Sequence, residues 1–405
     1  MNERKRILIL GAGDAQLNLI KESLNQGYYV VVCDMREEME GAKIADKYYK
    51  INYMDQEAIL KVAEQENIDG VTSNSEPAML NVAYIAEKLG LPGNSMKSIE
   101  KLLSKRKFRD LQKKVGVFVP EHYVTSSIQE LLEYAEKMKY PIIIKPTESS
   151  GTRGTTKISS FCESTIREAY NICREFSRNN LVTIEEYVEM KSLTVNDADI
   201  FVIGDEIIWD GWLWENRSKD TPMLPMTEIF PIALPEEKLC EIRETVNKII
   251  RASGVTLGEY NVETYYTLGD EVFVIEINPR QAGNYIPQLI EEHTGVSLTR
   301  LLVSTAVNDM SYYEYLKTFK RENNYITLQV VFSKEDGIFD RLYISPEIEE
   351  NVKWCKMAVK EGDRVVRGIN AAEAVAYVDL QFESYEKQHH FTDSIEKYIY
   401  PILKN

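Results

Sequence analysis

From Arg6 to Leu89 the chain alternates short apolar runs with amphipathic stretches, and that alternation restricts its opening segment to one class of fold. Arg6–Leu10 reads as a buried strand, Gly11-Ala12-Gly13 as a tight turn, and Ala15–Gln26 as a helix stopped by Gly27. Tyr28–Cys33 is a second strand ending at Asp34. A helix over Gln56–Gln65, a strand around Asp69–Thr72 and a helix over Pro77–Leu89 follow. Strands separated by helices of about 10–15 residues predict a doubly wound parallel sheet. The breakers Gly90-Leu91-Pro92-Gly93 place the first boundary, giving a Rossmann-like domain over residues 1–95.

The rest of the 405 residues exceeds what one further core usually holds. Ser98 to Val115 reads as one basic helix, carrying Lys101, Lys105, Arg106, Lys107, Arg109, Lys113 and Lys114. A strand near Tyr123, a helix over Ile128–Lys139 and a strand Pro141–Lys145 lead into a Gly/Ser/Thr loop from Thr147 to Thr156. Thr183–Val188, Leu193–Ile203 and Glu206–Trp212 read as strands, the last followed by a long irregular loop. Helix Glu236–Ser253 precedes strands Gly258–Tyr266 and Glu271–Ile277. Further β structure (Ile326–Phe332, Asp340–Ile344) and a helix before Asn405 indicate a small α+β unit. The expected division is 1–95, 96–310 (lobes of about 110–188 and 189–310) and 311–405, an α/β unit followed by α+β units.

Charge and composition remove several classes. Lys plus Arg total 48 against 64 Asp plus Glu, a net charge of −16, which opposes non-specific binding to nucleic acid or an anionic membrane. No apolar run approaches the roughly 18 residues of a spanning helix. The basic start MNERKRILIL passes directly into Gly11 and lacks a cleavable signal's pattern. Five scattered cysteines, none in C-x-x-C spacing, and four dispersed histidines fit reduced thiols in a cytoplasmic protein and argue against a zinc site. A metal in this chain is expected to be oxygen-ligated.

Four local patterns carry chemistry. Gly11, Gly13 and Asp34 suggest a dinucleotide fingerprint, but Gln16 stands where its third glycine belongs, so an oxidoreductase is the weaker reading. Lys145 ends an apolar strand and meets a loop with Ser150, Gly151, Thr152, Arg153 and Gly154. Such a loop lets backbone N–H groups approach phosphate oxygens while the lysine adds a point charge. In the run Val272–Arg280, alternation puts Glu276 and Asn278 on one face with Arg280 just beyond, and a hairpin can bring Glu263 beside Glu276. Two carboxylates and an amide oxygen suit Mg²⁺, and the guanidinium suits a phosphoryl or carboxylate group. The run Glu185-Glu186-Tyr187-Val188 could present the carbonyl of Glu186 and the N–H of Val188 to an adenine edge.

In this order, the patterns resemble the ATP-grasp superfamily. Ser104-Lys105 ahead of Val115-Gly116-Val117 and Pro120 is similar to the first nucleotide lysine's segment, with serine in place of the usual aspartate. The strand ending at Lys145 is similar to that of the second lysine. The resemblance implies an adenine hinge at Glu185–Val188, metal ligands Glu263, Glu276 and Asn278, and Arg280 on the transferred phosphoryl group. It implies ATP with Mg²⁺ or Mn²⁺, and a carboxylate–amine ligase working through an acyl phosphate on small-molecule substrates. A homodimer is common among proteins of this resemblance. A dipeptide-forming amino-acid ligase is the first expectation, and a purine-pathway ligase resembling phosphoribosylglycinamide synthetase the alternative. A catalytically silent nucleotide binder is the reading from a different class. Upstream, Arg6–Gly13 and Ile68–Gly93 look like the family's preceding domain, and Val352–Asp379 like its C-terminal domain. After the hinge, Ser192 and Asn196 stand where acids are usual, leaving Glu189 or Asp197 to substitute.

Overall fold

The computed structural model describes residues 4–147, 154–177, 179–218 and 224–404. The opening alternation folds as predicted into a four-stranded parallel sheet, in the order Lys47–Lys50, Tyr29–Asp34, Arg6–Leu10, Gly70–Thr72. Its central strands are buried on both faces, which is why they read as unbroken apolar runs. Edge strand Lys47–Lys50 escaped prediction because its lysines and tyrosines leave no apolar alternation. Asp34 needs no cofactor to explain it. It accepts from the Ala12 N–H at 2.8 Å and from the backbone and guanidinium of Arg36, fastening the Gly11–Gly13 turn. Burial alone would raise its pKa, but these donors hold it below the usual range. The Gln16 side chain fills the space beside Gly11, so the dinucleotide reading is set aside.

The predicted basic helix is two helices, Met96–Leu103 and Lys105–Lys114. Ser104 breaks them and caps the second, its hydroxyl accepting from the Lys107 N–H. Serine therefore performs the capping that an aspartate would, and Lys105 becomes the first residue of the second helix. A four-stranded antiparallel sheet follows, ordered His122–Thr125, Val182–Glu186, Ile142–Pro146, Thr156–Ile158. Helix Glu163–Phe176, not predicted, packs Ile166, Ala169 and Cys173 into that sheet's core.

Eight antiparallel strands form the largest sheet, in the order Val272–Asn278, Leu257–Tyr266, Thr194–Ile203, Glu206–Arg217, Pro225–Phe230, Tyr325–Val331, Ala376–Phe382, Val352–Met357. The long irregular loop expected after Trp212 is a correction: the strand continues to Arg217, and Pro225–Phe230 pairs beside it. Hydrogen bonding runs on from Pro225–Phe230 to Tyr325–Val331, so strands on both sides of residue 310 share one sheet. A three-stranded sheet (Arg364–Val365, Gly337–Ile344, Ile399–Leu403) completes the fold. The helix expected before Asn405 is Tyr385–Thr392, and the described chain closes on strand Ile399–Leu403 instead. Among the described residues no helix is long and apolar enough to cross a membrane, and all five cysteines are free thiols.

Candidate active site

A cavity of about 430 Å³ lies between the four-stranded antiparallel sheet and the eight-stranded sheet. It brings together Lys105, Lys145, Glu263, Glu276, Asn278 and Arg280, six residues spread over 176 positions of sequence. Each arrives for a local reason. Lys105 opens a capped helix. Lys145 comes from a strand whose burial alternates along its length, with Ile142 and Ile144 in the core. Glu263 lies directly opposite Glu276, and Asn261 opposite Asn278, in the antiparallel register of the two strands.

The carboxylate pair is electrostatically incomplete. Burial, then the neighbouring Glu276, push the Glu263 carboxyl up to about 7, while Arg217 at 3.3 Å opposes the shift. Burial acts the same way on Glu276, but Lys105, the Asn278 amide, Arg280 and Lys145 outweigh it and hold that carboxyl below its ordinary value. The Asn278 amide nitrogen donates to Glu276 at 2.8 Å. Two buried, facing carboxylates, one of them pushed up by burial and by its neighbour, are what a hard divalent cation would relieve. Among the described residues no group of three His, Cys, Asp or Glu side chains could hold a metal alone. A site of two carboxylates and an amide therefore fits a cation that takes its remaining ligands from phosphate and water.

Arg280 is fixed from three sides. Its Nη1 donates to the Gln281 carbonyl at 2.9 Å, its backbone carbonyl accepts from the Asn261 N–H, and Nη2 lies 3.7 Å from Glu76 of the opening domain. The following loop is anchored from below. The Ala282 N–H donates to both oxygens of buried Asp199, and Gln281 Nε2 donates to buried Glu259. Asn284 and Tyr285 then take the left-handed backbone conformation at φ 49° and 63°, and Ala282, Gly283 and Asn284 line the cavity.

The chain matches the family model of the D-ala D-ala ligase C-terminus over residues 111–303 and that of the ATP-grasp N-terminal domain over 26–93. By these two matches, which together span 261 of its 405 residues, the chain is similar to the ATP-grasp superfamily. A formate-dependent phosphoribosylglycinamide formyltransferase of Methanocaldococcus jannaschii is 25% identical over 289 residues, 68% of this chain and 69% of that protein. The chain spans 65% of the length of an uncharacterized Sinorhizobium fredii protein and 28% to 29% of the carbamoyl phosphate synthase large chains it matches. Among solved structures, phosphoribosylglycinamide synthetase from Anaerococcus prevotii superposes with a TM-score of 0.75 at 21% identity, covering 99% of this chain and 100% of that one. An L-amino acid ligase from Bacillus licheniformis gives 0.82 at 19% identity, covering 100% of both chains. These likenesses establish the fold.

Within this cavity, the sequence-predicted residues divide unevenly. Ser150, Gly151, Thr152 and Arg153 lie outside the described residues. Gly154 has φ 75°, and a Cβ there would meet Pro146 and Phe176 at 3.0 Å, so the position demands glycine. Strand Val182–Glu186 ends at the expected hinge, where the Val188 carbonyl accepts from the Tyr265 hydroxyl at 2.7 Å and Lys157 Nζ sits 3.6 Å from the Tyr187 ring centroid. The Glu185 side chain is turned into the protein, bonded to Arg109 and to Lys145 at 2.9 Å. Of the residues weighed after the hinge, Asp197 lines the cavity and accepts from Asn261 at 2.6 Å, whereas Glu189 and Asn196 do not line it.

Sequence reasoning gave no role to two cavity residues, Glu76 and Arg109, whereas the polar and aromatic stretch from Trp209 to Glu228, expected to line a pocket, supplies Glu215, Arg217 and Glu228. Glu215 and Arg217 stand two apart on a strand and so share a face, a signal that was present. The Glu215–Glu228 pairing depends on register and was not readable. Burial raises Asp197, Glu215 and Glu228 above ordinary carboxyl values, with Arg217 the cation among them.

Proposed function

We propose that this protein is an ATP-dependent ligase that activates a small-molecule carboxylate as an acyl phosphate and transfers the acyl group to an amine. The observation that carries the reading is the convergence of two lysines, a facing carboxylate pair with an amide, and a loop-anchored arginine in one cavity. Lys105 and Lys145 would hold the phosphates as point charges, and the Glu185–Val188 backbone would receive the adenine edge. Glu263, Glu276 and the Asn278 amide oxygen would hold Mg²⁺, which when bound neutralises charge on the β- and γ-phosphate oxygens. Arg280, with Gln281 and Ala282 tied to Glu259 and Asp199, would keep its fork on the γ-phosphoryl group and then on the acyl phosphate.

The chemistry follows from charge placement more than from proton transfer. A carboxylate oxygen attacks the γ-phosphorus, the bond to the β,γ-bridging oxygen breaks, and ADP departs. The amine then attacks the acyl carbon, phosphate leaves with the electron pair of its C–O bond, and the ammonium formed releases a proton. A closed cavity matters because an acyl phosphate exposed to water hydrolyses.

Relatives and folds named for phosphoribosylglycinamide and for N5-carboxyaminoimidazole ribonucleotide support a purine-type ligase over a dipeptide ligase. The amino-acid ligase stands as second reading on one specific observation. Asp197, Glu215, Glu228 and Glu263 surround Arg217, leaving this end of the cavity acidic and suited to a substrate ammonium group. The test is a phosphate-release screen over paired carboxylates and amines, phosphosugar amines included, with mass analysis of the product. Failure of every pair to release ADP would support a silent nucleotide binder instead.

A further inference from the structure

A lysine meant for phosphate should not be neutralised by its own protein, yet Lys145 Nζ donates to buried Glu185 at 2.9 Å. The contact makes sense only with Arg109, which is itself 3% exposed. Arg109 takes both Glu185 oxygens, Nε to Oε2 at 3.1 Å and Nη2 to Oε1 at 3.2 Å, so Lys145 shares a carboxylate already engaged by a bidentate fork. Two cations on one carboxylate leave the group a net positive charge facing the cavity. The third nitrogen of the guanidinium reaches the other sheet. Arg109 Nη1 donates to the carbonyls of Val274 (3.3 Å) and Ile275 (3.1 Å), the latter preceding Glu276, and to Gln112 Oε1 at 2.7 Å. Gln112 Nε2 braces the same Val274 carbonyl at 2.9 Å. The Phe273 ring lies beneath the guanidinium, 5.0 Å from its carbon.

We infer that Arg109 is a positioning residue for the nucleotide: it occupies Glu185 so that Lys145 stays available to phosphate, and it ties the hinge strand to the strand bearing Glu276. The inference rests on the reading of this cavity as the nucleotide site. Lysine could supply charge at position 109 but not three directed nitrogens, so the role belongs to arginine. Without it, Glu185 would pair with Lys145 alone and draw the ammonium away from the phosphates.

Calorimetric titration with Mg·ADP tests this on the full chain, using wild type, Arg109→Gln, Arg109→Lys and the double variant Arg109→Gln/Glu185→Gln. Arg109→Gln should bind about tenfold more weakly or worse, as expected for losing charge-assisted hydrogen bonds. Arg109→Lys should fall between it and wild type. The double variant should regain affinity over Arg109→Gln, because Lys145 is released; a merely structural arginine would make the double loss additive. Should Arg109→Gln not fold, Arg109→Lys with and without Glu185→Gln carries the same comparison. Wild-type affinity in the single variants, or a double variant no better than its parent, overturns the inference while leaving the nucleotide site standing. Absence of Mg·ADP binding by wild type overturns the site reading and the inference together.

Discussion

Asp379 is fully buried, and among the described residues no side chain donates to either of its oxygens; the Leu380 N–H and the more distant Lys353 act to lower its pKa. Asp379 faces Glu292, whose Oε1 accepts from Trp354 Nε1 at 3.3 Å. Burial, then Glu292, push the Asp379 carboxyl up to about 8 from an ordinary 3.8. The folded protein therefore keeps a proton that the unfolded chain has released, and stability falls as pH rises from about 4 to about 8. From pH 6 to pH 8 this single group costs about 2 kcal/mol, since each pKa unit is worth about 1.4 kcal/mol and the slope flattens near the midpoint. Asp379→Asn keeps the shape, offers an N–H to Glu292 and cannot titrate. Its stability relative to wild type should improve by about 2 kcal/mol between pH 6 and pH 8, read as a difference of unfolding midpoints at the two values. The two proteins losing stability in parallel over that range would refute the reasoning. The outcome bears on the site because Glu292 lies on helix Ile286–Thr294, which begins directly after the cavity loop at Tyr285.

Other consequences can be checked directly. Glu276→Gln should lower Mg·ATP-dependent turnover at least about 100-fold with an unchanged melting profile, as removal of one charged ligand predicts; full activity would remove Glu276 from the metal assignment. Lys145 is held near 8 by burial, against Glu185 and with Arg109 and Lys105, so its ammonium is lost as pH rises through that value. If phosphate requires the charged form, ADP affinity should fall about tenfold from pH 7 to pH 9, a dependence that Lys145→Ala should abolish along with much of the binding. A Cβ on Gly70 would sit 2.1 Å from the Ala306 carbonyl oxygen, where the parallel sheet meets helix Leu298–Ala306. Gly70→Ala should cost about 1–3 kcal/mol in an unfolding titration, and a neutral result would show that the contact can relax.

The legible parts of this protein share one property: their periodicity is local. Apolar runs buried on both faces announced the parallel sheet, and the two-residue period of Val272–Asn278 put Glu276 and Asn278 on one side. The short connection Thr267–Glu271 brought Glu263 close to Glu276, but its register alone would set Glu263 opposite Ile275; a bulge between Glu263 and Thr264 makes Glu276 the partner. Strands Lys47–Lys50 and Pro225–Phe230 were not legible. The first is an exposed edge, and the second, Pro-Met-Thr-Glu-Ile-Phe, hides its face among mixed polar and apolar residues.

The linear chain by itself therefore determined part of the chemical inventory: a lysine at a strand end, Glu276 and Asn278 on one strand face, and an arginine after that strand. Those follow from spacing along single elements, where backbone geometry alone decides which side chains share a face. Tertiary structure decided what each charge meets. Arg109 read as one of seven basic residues on one helix until folding buried it against Glu185 and the Ile275 carbonyl, 76 and 166 positions away. Electrostatic roles are set by distances of a few ångströms in a medium that excludes water. Only packing brings such distances about between distant parts of a chain.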